Sequence, residues 1–246
     1  MIRWLVIILS MIAGPTAANS AATCKILTHY NSNDYTICEV SLEDDLRLFH
    51  SDASGKLYGG FGQINDALAN ENQTLSFAMN AGMYHQDRTP VGLFIEDGQE
   101  ITAIADGGTY GNFGLKPNGV FCFSKQHFSV IETNVYRHLK ANCPNATQSG
   151  PMLVIDGELH SRFLIDATTQ YIRNGVGVSA DGTRAFFVIS DTPVTFHEFG
   201  SLFRDHLKTP NALYFDGKVS RLYAPDVDRD DTGFPLGVMV GTVITD

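Results

Sequence analysis

The sequence predicts an α+β fold: a strand-rich mixed sheet built from hairpins with a few helices, in a single domain after a signal peptide. Asp-Gly pairs recur between short apolar runs, beginning at Asp97, Asp156, Asp181 and Asp216, and this pattern is a strong signal for hairpin turns. Helical periodicity is confined to two segments, near 63–70 and 195–207. No low-complexity linker or fixed-period repeat divides the chain, so we expect one domain.

Residues 1–22 are predicted to be a signal peptide. Arg3 supplies a positive charge, residues 4–12 are apolar, and small residues follow at 17–22. This run of about ten apolar residues is too short to span a membrane, which needs roughly twenty. We therefore expect a mature domain at 23–246 that is secreted or periplasmic and has no membrane span.

The cysteines and the net charge narrow the function further. Four cysteines allow three pairings, and export to an oxidising compartment favours disulfides over metal thiolates. We predict Cys24 with Cys38 across the first hairpin, and Cys122 with Cys143 between a strand and the loop after it. The formal charge of −10 argues against nucleic acid as a partner, because phosphate backbones need clustered Lys and Arg. These features do not predict an oligomeric state.

The first half of the domain is predicted to be mostly hairpins. Strands 25–30 and 35–40 flank a polar turn, a third strand covers 46–49, and a short helix covers 63–70. The buried strand 75–79 then delivers Asn80 at its exit. Strands near 91–96 and 101–104 flank the Asp97-Gly98 turn, and a Gly-rich loop at 107–114 follows.

The second half continues with strands near 120–123 and 127–131, a loop at 136–147, and strands at 152–155 and 174–178. The apolar run 184–190 is expected to be buried on both faces. In the helix at 195–207, Thr195 is the predicted N-cap and Glu198 completes a capping box. Strands at 211–216 and 238–244 close the domain.

In order along the chain, these motifs resemble the phosphodiester glycosidase family over about residues 75–242. The motifs that carry the resemblance are Asn80-Ala81-Gly82-Met83-Tyr84, Pro90-Val91-Gly92, Gln148-Ser149-Gly150-Pro151, Asp156-Gly157, Arg173 before a Gly-containing strand, Thr195–Phe199 and Asn211–Gly217. One departure stands out. The family's Leu-Asp-Gly-Gly-Gly-Ser run is here Phe215-Asp216-Gly217-Lys218-Val219-Ser220, so Lys218 and Val219 replace two glycines and reshape that loop.

The resemblance implies a hydrolase acting on a sugar-1-phosphodiester or a related surface-glycan linkage. Such cleavage passes through an oxocarbenium-like state that a carboxylate can stabilise or attack, and an Arg can hold the phosphate by paired hydrogen bonds. The candidate catalytic residues are Asp216, Arg173, Asn80 and Glu198. The candidate substrate-binding residues are Gln148, Ser149, Gly150, Gly217 and Ser220.

Each candidate also has a plain structural interpretation. Asp216 could be a hairpin-turn aspartate like the other three, and Arg173 could pair with a nearby carboxylate. Asn80 could be a turn residue, Gln148 could cap a strand entrance, and Glu198 already has a capping role. The alternative function is a non-catalytic envelope protein of the same fold that binds glycan or a protein partner.

No cofactor or metal is predicted. The histidines lack metal-ligand spacing with carboxylates. The acidic loop 225–231 lacks the Gly and Glu positions of an EF-hand.

Overall fold

The computed structural model describes residues 21–106, 111–139 and 143–245. The predicted signal peptide lies almost wholly outside the described residues and stays a prediction, as does the part of the Gly-rich loop at 107–110. No helix in the described ranges is long and apolar enough to cross a membrane.

In chain order, the strands of the described residues are β1 (Thr23–Tyr30), β2 (Asn33–Ser41), β3 (Asp45–Phe49), β4 (Gln73–Asn80), β5 (Phe94–Glu96), β6 (Gln99–Thr102), β7 (Gly119–Phe123), β8 (Phe128–Glu132), β9 (Asn145–Ser149), β10 (Met152–Ile155), β11 (Glu158–Leu159), β12 (Asn174–Val178), β13 (Arg184–Ser190), β14 (Asn211–Asp216), β15 (Leu222–Ala224), β16 (Arg229–Asp230) and β17 (Met239–Thr245). The α-helices are α1 (Phe61–Leu68), α2 (Thr133–Leu139) and α3 (Phe196–Ser201).

The strands form three sheets. A seven-stranded sheet has the order β1-β2-β13-β12-β14-β10-β11, and two five-stranded sheets have the orders β16-β15-β4-β17-β3 and β6-β5-β9-β7-β8. The paired strands are antiparallel. The strand-rich α+β architecture is therefore confirmed, with its strands divided among three antiparallel sheets.

Three phenylalanines join the sheets at the centre of the core. Phe77 on β4, Phe121 on β7 and Phe187 on β13 each come from a different sheet and are each 0% exposed. The Phe187 ring centre lies 5.1 Å from that of Phe77 and 5.6 Å from that of Phe121. Burying such a side chain contributes about 1.5–3 kcal/mol, so this contact ties the sheets into one domain.

The capping box at α3 is confirmed. Thr195 Oγ1 accepts a hydrogen bond from the Glu198 backbone N–H at 3.1 Å, and the Thr195 N–H donates to Glu198 Oε2 at 2.7 Å. The α-helix ends earlier than predicted, and Leu202–His206 continues it as a π-helical turn. A Cβ on Gly177 of β12 would lie 2.6 Å from Phe203 Cδ1, so this glycine lets the π-helical turn pack closely on the sheet.

Both predicted disulfides are present. Cys24 and Cys38 have their Cα atoms 4.0 Å apart, and Cys122 and Cys143 have theirs 5.5 Å apart. The first joins paired strands β1 and β2, where the two cysteines lie opposite each other. Four disulfide-bonded cysteines are consistent with an oxidising compartment.

The predicted loop at 136–147 is wrong. Helix α2 covers its beginning, and strand β9 begins at Asn145, between β5 and β7. The sequence of β9, Asn-Ala-Thr-Gln-Ser, has no apolar alternation, yet its last four residues are buried. Because its polar side chains find partners inside the protein, hydrophobic periodicity does not reveal this strand.

Candidate functional site

A cavity of about 670 Å³ lies beside the segments that follow β4 and β14. Apolar and aromatic side chains form most of its described wall: Met83, Tyr84, Val91, Phe113, Tyr171 and Val219. The lining side chains that carry an amide, carboxyl or ammonium group are Asn112, Asp216 and Lys218, and Tyr84 and Tyr171 add hydroxyl groups. A large cavity with a few convergent polar groups is the usual form of a small-molecule site.

Asp216-Gly217 differs from the other Asp-Gly pairs. In Asp97-Gly98 and Asp156-Gly157 both residues have positive φ, as a two-residue hairpin turn requires. Neither residue of Asp216-Gly217 is in that region, and the strands before and after this pair belong to different sheets. The hairpin predicted here is therefore absent, and the pair begins a crossing between two sheets at the cavity.

The carboxyl group of Asp216 is held by backbone amides. Its Oδ1 accepts hydrogen bonds from the N–H groups of Gly217 at 2.6 Å and Lys218 at 2.9 Å. Burial raises the pKa of Asp216, while these two amides and the Lys218 ammonium oppose the rise. A fixed, partly desolvated carboxylate in a cavity is a candidate nucleophile or base.

A pair of buried asparagines lies under this loop. The Asn174 amide nitrogen donates to the Asn80 carbonyl at 2.8 Å and to Asn80 Oδ1 at 3.0 Å. Asn174 Oδ1 accepts from the Asp216 N–H at 3.1 Å and from the Ser220 hydroxyl at 3.4 Å. Both asparagines are 0% exposed, so Asn80 and Ser220 support the Asp216 loop without lining the cavity.

Sequence reasoning missed Asn174. It follows Arg173 at the start of β12, and the strand register pairs it directly with Asp216. Its partner Asn80 is 94 positions away in the chain. A local signal exists only in retrospect, as a polar residue at the first position of a strand whose other residues are Gly and Val.

Gln148 and Ser149 bond to the protein itself. Gln148 Oε1 accepts from the N–H groups of Leu93 at 3.0 Å and Ala105 at 2.9 Å, and its Nε2 donates to the Ala105 carbonyl at 2.8 Å. The Ser149 hydroxyl donates to the carbonyl of Phe215, the residue before Asp216, at 2.9 Å. Neither residue lines the described cavity. Gln148 anchors a loop, and Ser149 anchors the end of β14.

The two candidate glycines allow close contacts. A Cβ on Gly150 would lie 2.0 Å from Asn118 Oδ1, and a Cβ on Gly217 would lie 2.0 Å from the Tyr214 hydroxyl oxygen. Gly217 lines the cavity, whereas Gly150 does not. At both positions the absence of a side chain serves internal packing.

Arg173 is buried, with only 1% of its surface exposed. Its Nε donates to the Val194 carbonyl at 2.8 Å and its Nη2 to the Thr169 carbonyl at 3.3 Å. Its guanidinium carbon lies 3.6 Å from the centre of the Phe196 ring. Nη1 has no hydrogen-bond partner among the described residues, and the ion pairs of those residues do not include Arg173. The pairing with a carboxylate considered above is therefore not seen in the described ranges.

Tyr214 lies close to both Arg173 and the cavity. The Arg173 guanidinium carbon is 5.6 Å from the Tyr214 ring centre, and the Tyr214 hydroxyl accepts from the cavity residue Asn112 at 3.3 Å. Burial raises the pKa of Tyr214; the positive charge of Arg173 opposes this rise and the negative charge of Asp216 adds to it. One buried phenol thus lies near both charged candidates, although in sequence it is an ordinary core aromatic.

Glu198 lies at the N-terminus of α3 and does not line the cavity. Besides its bond to Thr195, it accepts from Asn33 Nδ2 at 3.2 Å. Burial acts to raise the pKa of Glu198, but the hydrogen bonds from Thr195 and Asn33 outweigh it and lower the pKa. Its contacts are those of a structural cap.

The described residues contain no group of three or more His, Cys, Asp or Glu side chains that could hold a metal ion.

The model of the phosphodiester glycosidase family matches residues 73–240. A curated relative, the uncharacterized protein YigE of Escherichia coli (strain K12), is 30% identical over 178 residues, which are 72% of this chain and 69% of that protein.

Two solved structures share the fold. The zebrafish N-acetylglucosamine-1-phosphodiester alpha-N-acetylglucosaminidase catalytic domain, auto-inhibited by pro-peptide, matches with a TM-score of 0.59 and 12% identity over 94% of this chain and 85% of that one. A Burkholderia pseudomallei protein described as exported matches with a TM-score of 0.55 and 10% identity over 85% of this chain and 74% of that one. At such identities the likeness concerns the fold alone.

Proposed function

Because the chain belongs to the phosphodiester glycosidase family, we propose that it is an exported glycosidase that hydrolyses a sugar-1-phosphodiester or a related surface-glycan linkage. One observation carries this proposal. Asp216 presents a partly desolvated carboxyl group to a cavity of about 670 Å³, fixed by two backbone amides. The two disulfides support a secreted or periplasmic location.

In the proposed reaction, the bond between the anomeric carbon and the phosphate ester oxygen breaks, and its electron pair leaves with the phosphate monoester. Asp216 stabilises or attacks the oxocarbenium-like centre. Water then supplies the hydroxyl group of the free sugar. Since a phosphate monoester is a good leaving group, the reaction depends more on charge stabilisation than on a general acid. Asp216 Oδ1 is occupied by the amides of Gly217 and Lys218, which assigns Oδ2 to the sugar.

Positive charge for the phosphate comes, in this proposal, from two residues. Lys218 lines the cavity and touches the phosphate directly. Arg173 lies behind the wall, where burial strengthens its field because the local dielectric constant is low. We therefore propose that the positive charge of Arg173 stabilises the phosphate across the Tyr214 and Tyr171 rings, without direct contact. The centre of each ring lies 5.6 Å from the guanidinium carbon.

The remaining candidates are proposed to position the site. Asn80 and Ser220 hold the Asp216 loop, and Gln148 and Ser149 hold the segments beside it. Because the side chains of these residues bond within the protein, their contacts favour a positioning role over direct contact with the sugar.

A second candidate function is a non-catalytic protein of the same fold that binds glycan or a protein partner. The replacement of two family glycines by Lys218 and Val219 favours it, because both side chains line the cavity and narrow the space that the glycines would leave open.

The test incubates mature protein from the exported fraction with an N-acetylglucosamine-1-phosphodiester and a panel of surface glycans. The wild type should release free sugar and phosphate monoester. Asp216→Asn should lose at least about a hundredfold in kcat, because it preserves the shape and the amide acceptor but removes the charge. Asp156→Asn is the matched control, because Asp156 is also the aspartate of an Asp-Gly pair but does not line the cavity. Its φ is 50°, a value that Asn also adopts, so this variant should fold and keep its turnover.

Wild-type turnover that survives in Asp216→Asn would remove the assignment of the carboxylate. Turnover of none of the compounds, together with measurable binding of a glycan, would favour the non-catalytic alternative.

A further inference from the structure

The described part of the cavity wall has few free polar groups. Among the described lining residues, the Tyr84 hydroxyl already donates to the Pro235 carbonyl at 3.1 Å, and Asn112 Nδ2 already donates to Tyr214 at 3.3 Å. The polar side-chain groups that remain are the Tyr171 hydroxyl, Asn112 Oδ1 with the second N–H of its amide, Asp216 Oδ2 and the Lys218 ammonium. The first sugar and the phosphate already need these groups. A second sugar would bring several hydroxyls, and each hydroxyl buried without a partner weakens binding.

The apolar part of the wall is anchored in the core. Met83 packs against the buried cluster that contains Phe199 and Tyr214. Val219 packs against a different cluster, which contains Phe61. Two separate core clusters thus each extend one side chain to the cavity. Packing against the core thus holds these two apolar side chains in the wall.

Lys218 adds a positive charge to this apolar surface. It is an exposed residue, and its ammonium makes no ion pair among the described residues. Lys218 and Asp216 both line the cavity, and the Lys218 backbone N–H donates to Asp216 Oδ1 at 2.9 Å. The positive charge of Lys218 also lowers the pKa of Asp216. An anionic group bound beside Asp216 would meet this cation, and the next residue along the chain is the apolar Val219.

We propose that the cavity takes a sugar-1-phosphodiester whose second alcohol is apolar, an alkyl or aryl alcohol and not a second sugar. The phosphodiester lies against Lys218, and the apolar alcohol lies against Val219, Met83, Val91 and Phe113. This inference rests on the proposed function and names the class of substrate for the same site. Lys218 and Val219 are then specificity-determining residues, in place of two glycines that would offer neither a cation nor an apolar contact.

The experiment compares three diesters of N-acetylglucosamine-1-phosphate, with methanol, hexanol or mannose as the second alcohol. Steady-state kcat/KM is measured with the wild type, and Kd is measured by calorimetry with Asp216→Asn, which binds without turnover. Each buried methylene is worth up to about fourfold in affinity. The hexyl ester should therefore have a kcat/KM at least tenfold higher and a Kd at least tenfold lower than the methyl ester. The mannosyl ester should neither react faster nor bind more tightly than the methyl ester.

Val219→Thr keeps the shape of the side chain but makes it polar. It should lower the ratio of the hexyl ester's kcat/KM to that of the methyl ester about threefold or more. The matched control is Val135→Thr on α2, where the valine is 47% exposed and does not line the cavity. Its ratio should equal that of the wild type. A thermal melt of each variant confirms that it is folded.

The outcomes separate the two proposals. If the protein turns over the hexyl and methyl esters with equal kcat/KM, or prefers the mannosyl ester, the inference of an apolar second alcohol is overturned and the proposed hydrolase function stands. No turnover, with the hexyl ester still bound at least tenfold more tightly, overturns the hydrolase and supports the apolar cavity. No turnover and no binding of any ester overturns both.

Discussion

Replacing Asn174 with alanine should be among the more damaging single changes near the cavity. The side chain is 0% exposed and donates to the Asn80 carbonyl at 2.8 Å while accepting from the Asp216 N–H at 3.1 Å. The alanine side chain can do neither. The change therefore leaves two backbone groups without this hydrogen-bond partner: the Asn80 carbonyl on β4 and the Asp216 N–H at the end of β14. These two strands belong to different sheets.

The magnitude follows from those two groups. A buried polar group left without a partner costs about 1–3 kcal/mol, so the pair costs about 2–6 kcal/mol. Entry of a water molecule into the space left by the amide would bring the loss towards the lower end of that range. A central figure of about 3 kcal/mol corresponds to a fall in Tm of about 6–12 °C for a domain of this size. Turnover should fall as well, because the Asp216 loop loses its support.

The assay is urea unfolding followed by circular dichroism, with calorimetry for Tm. Asn145→Ala is the matched control, since that side chain accepts one hydrogen bond, from the N–H of Asp97 in an exposed turn at 3.0 Å, and its loss should be about 1 kcal/mol or less. If Asn174→Ala costs no more than the control, the paired asparagines do not hold the two sheets together at the site.

Two further predictions concern charge and capping. Asp216 must be ionised and burial raises its pKa, so kcat/KM should fall as pH falls through a value above the ordinary aspartate range. Lys218→Met removes a charge that opposes this rise and should move the acidic limb of the kcat/KM profile to higher pH, because that profile reports the pKa of the free enzyme. Lys125→Met should leave the limb in place. An unmoved limb in Lys218→Met would contradict the assignment. Thr195→Ala should cost about 1 kcal/mol of stability, and Glu198→Gln, which preserves the capping box, should keep turnover in the enzyme assay. A hundredfold loss in Glu198→Gln would transfer the carboxylate role to that residue.

Local sequence signals were reliable where their causes were local. The Asp97 and Asp156 turns have the positive φ values that Asp-Gly predicts. The Thr195 capping box spans three residues and formed as predicted. Short-range rules failed at β9, whose polar side chains are satisfied by distant backbone groups, as in the bond from Ser149 to Phe215.

The candidate site shows the same division. Asp216 was named as a candidate from the sequence, by its motif and by the family resemblance, and it lines the cavity of about 670 Å³. The positions of Arg173 and Gln148 did not follow from their motifs, since each is a polar residue next to a strand and nothing local says which way it faces. The structure places both inside the protein, bonded mainly to backbone carbonyl and amide groups.

The sequence by itself determined the family, the strand-rich fold, both disulfide pairs and the presence of an aspartate at the end of β14. Each of these depends on motifs, spacing or periodicity within short segments. Only the tertiary structure decided that the strands form three sheets, that Asn174 contacts Asn80 across 94 positions, and that Arg173 is buried while Lys218 lines the cavity. The physical reason is that side-chain direction and burial depend on which strands pack together, and that packing is set by long-range contacts which a local pattern does not contain.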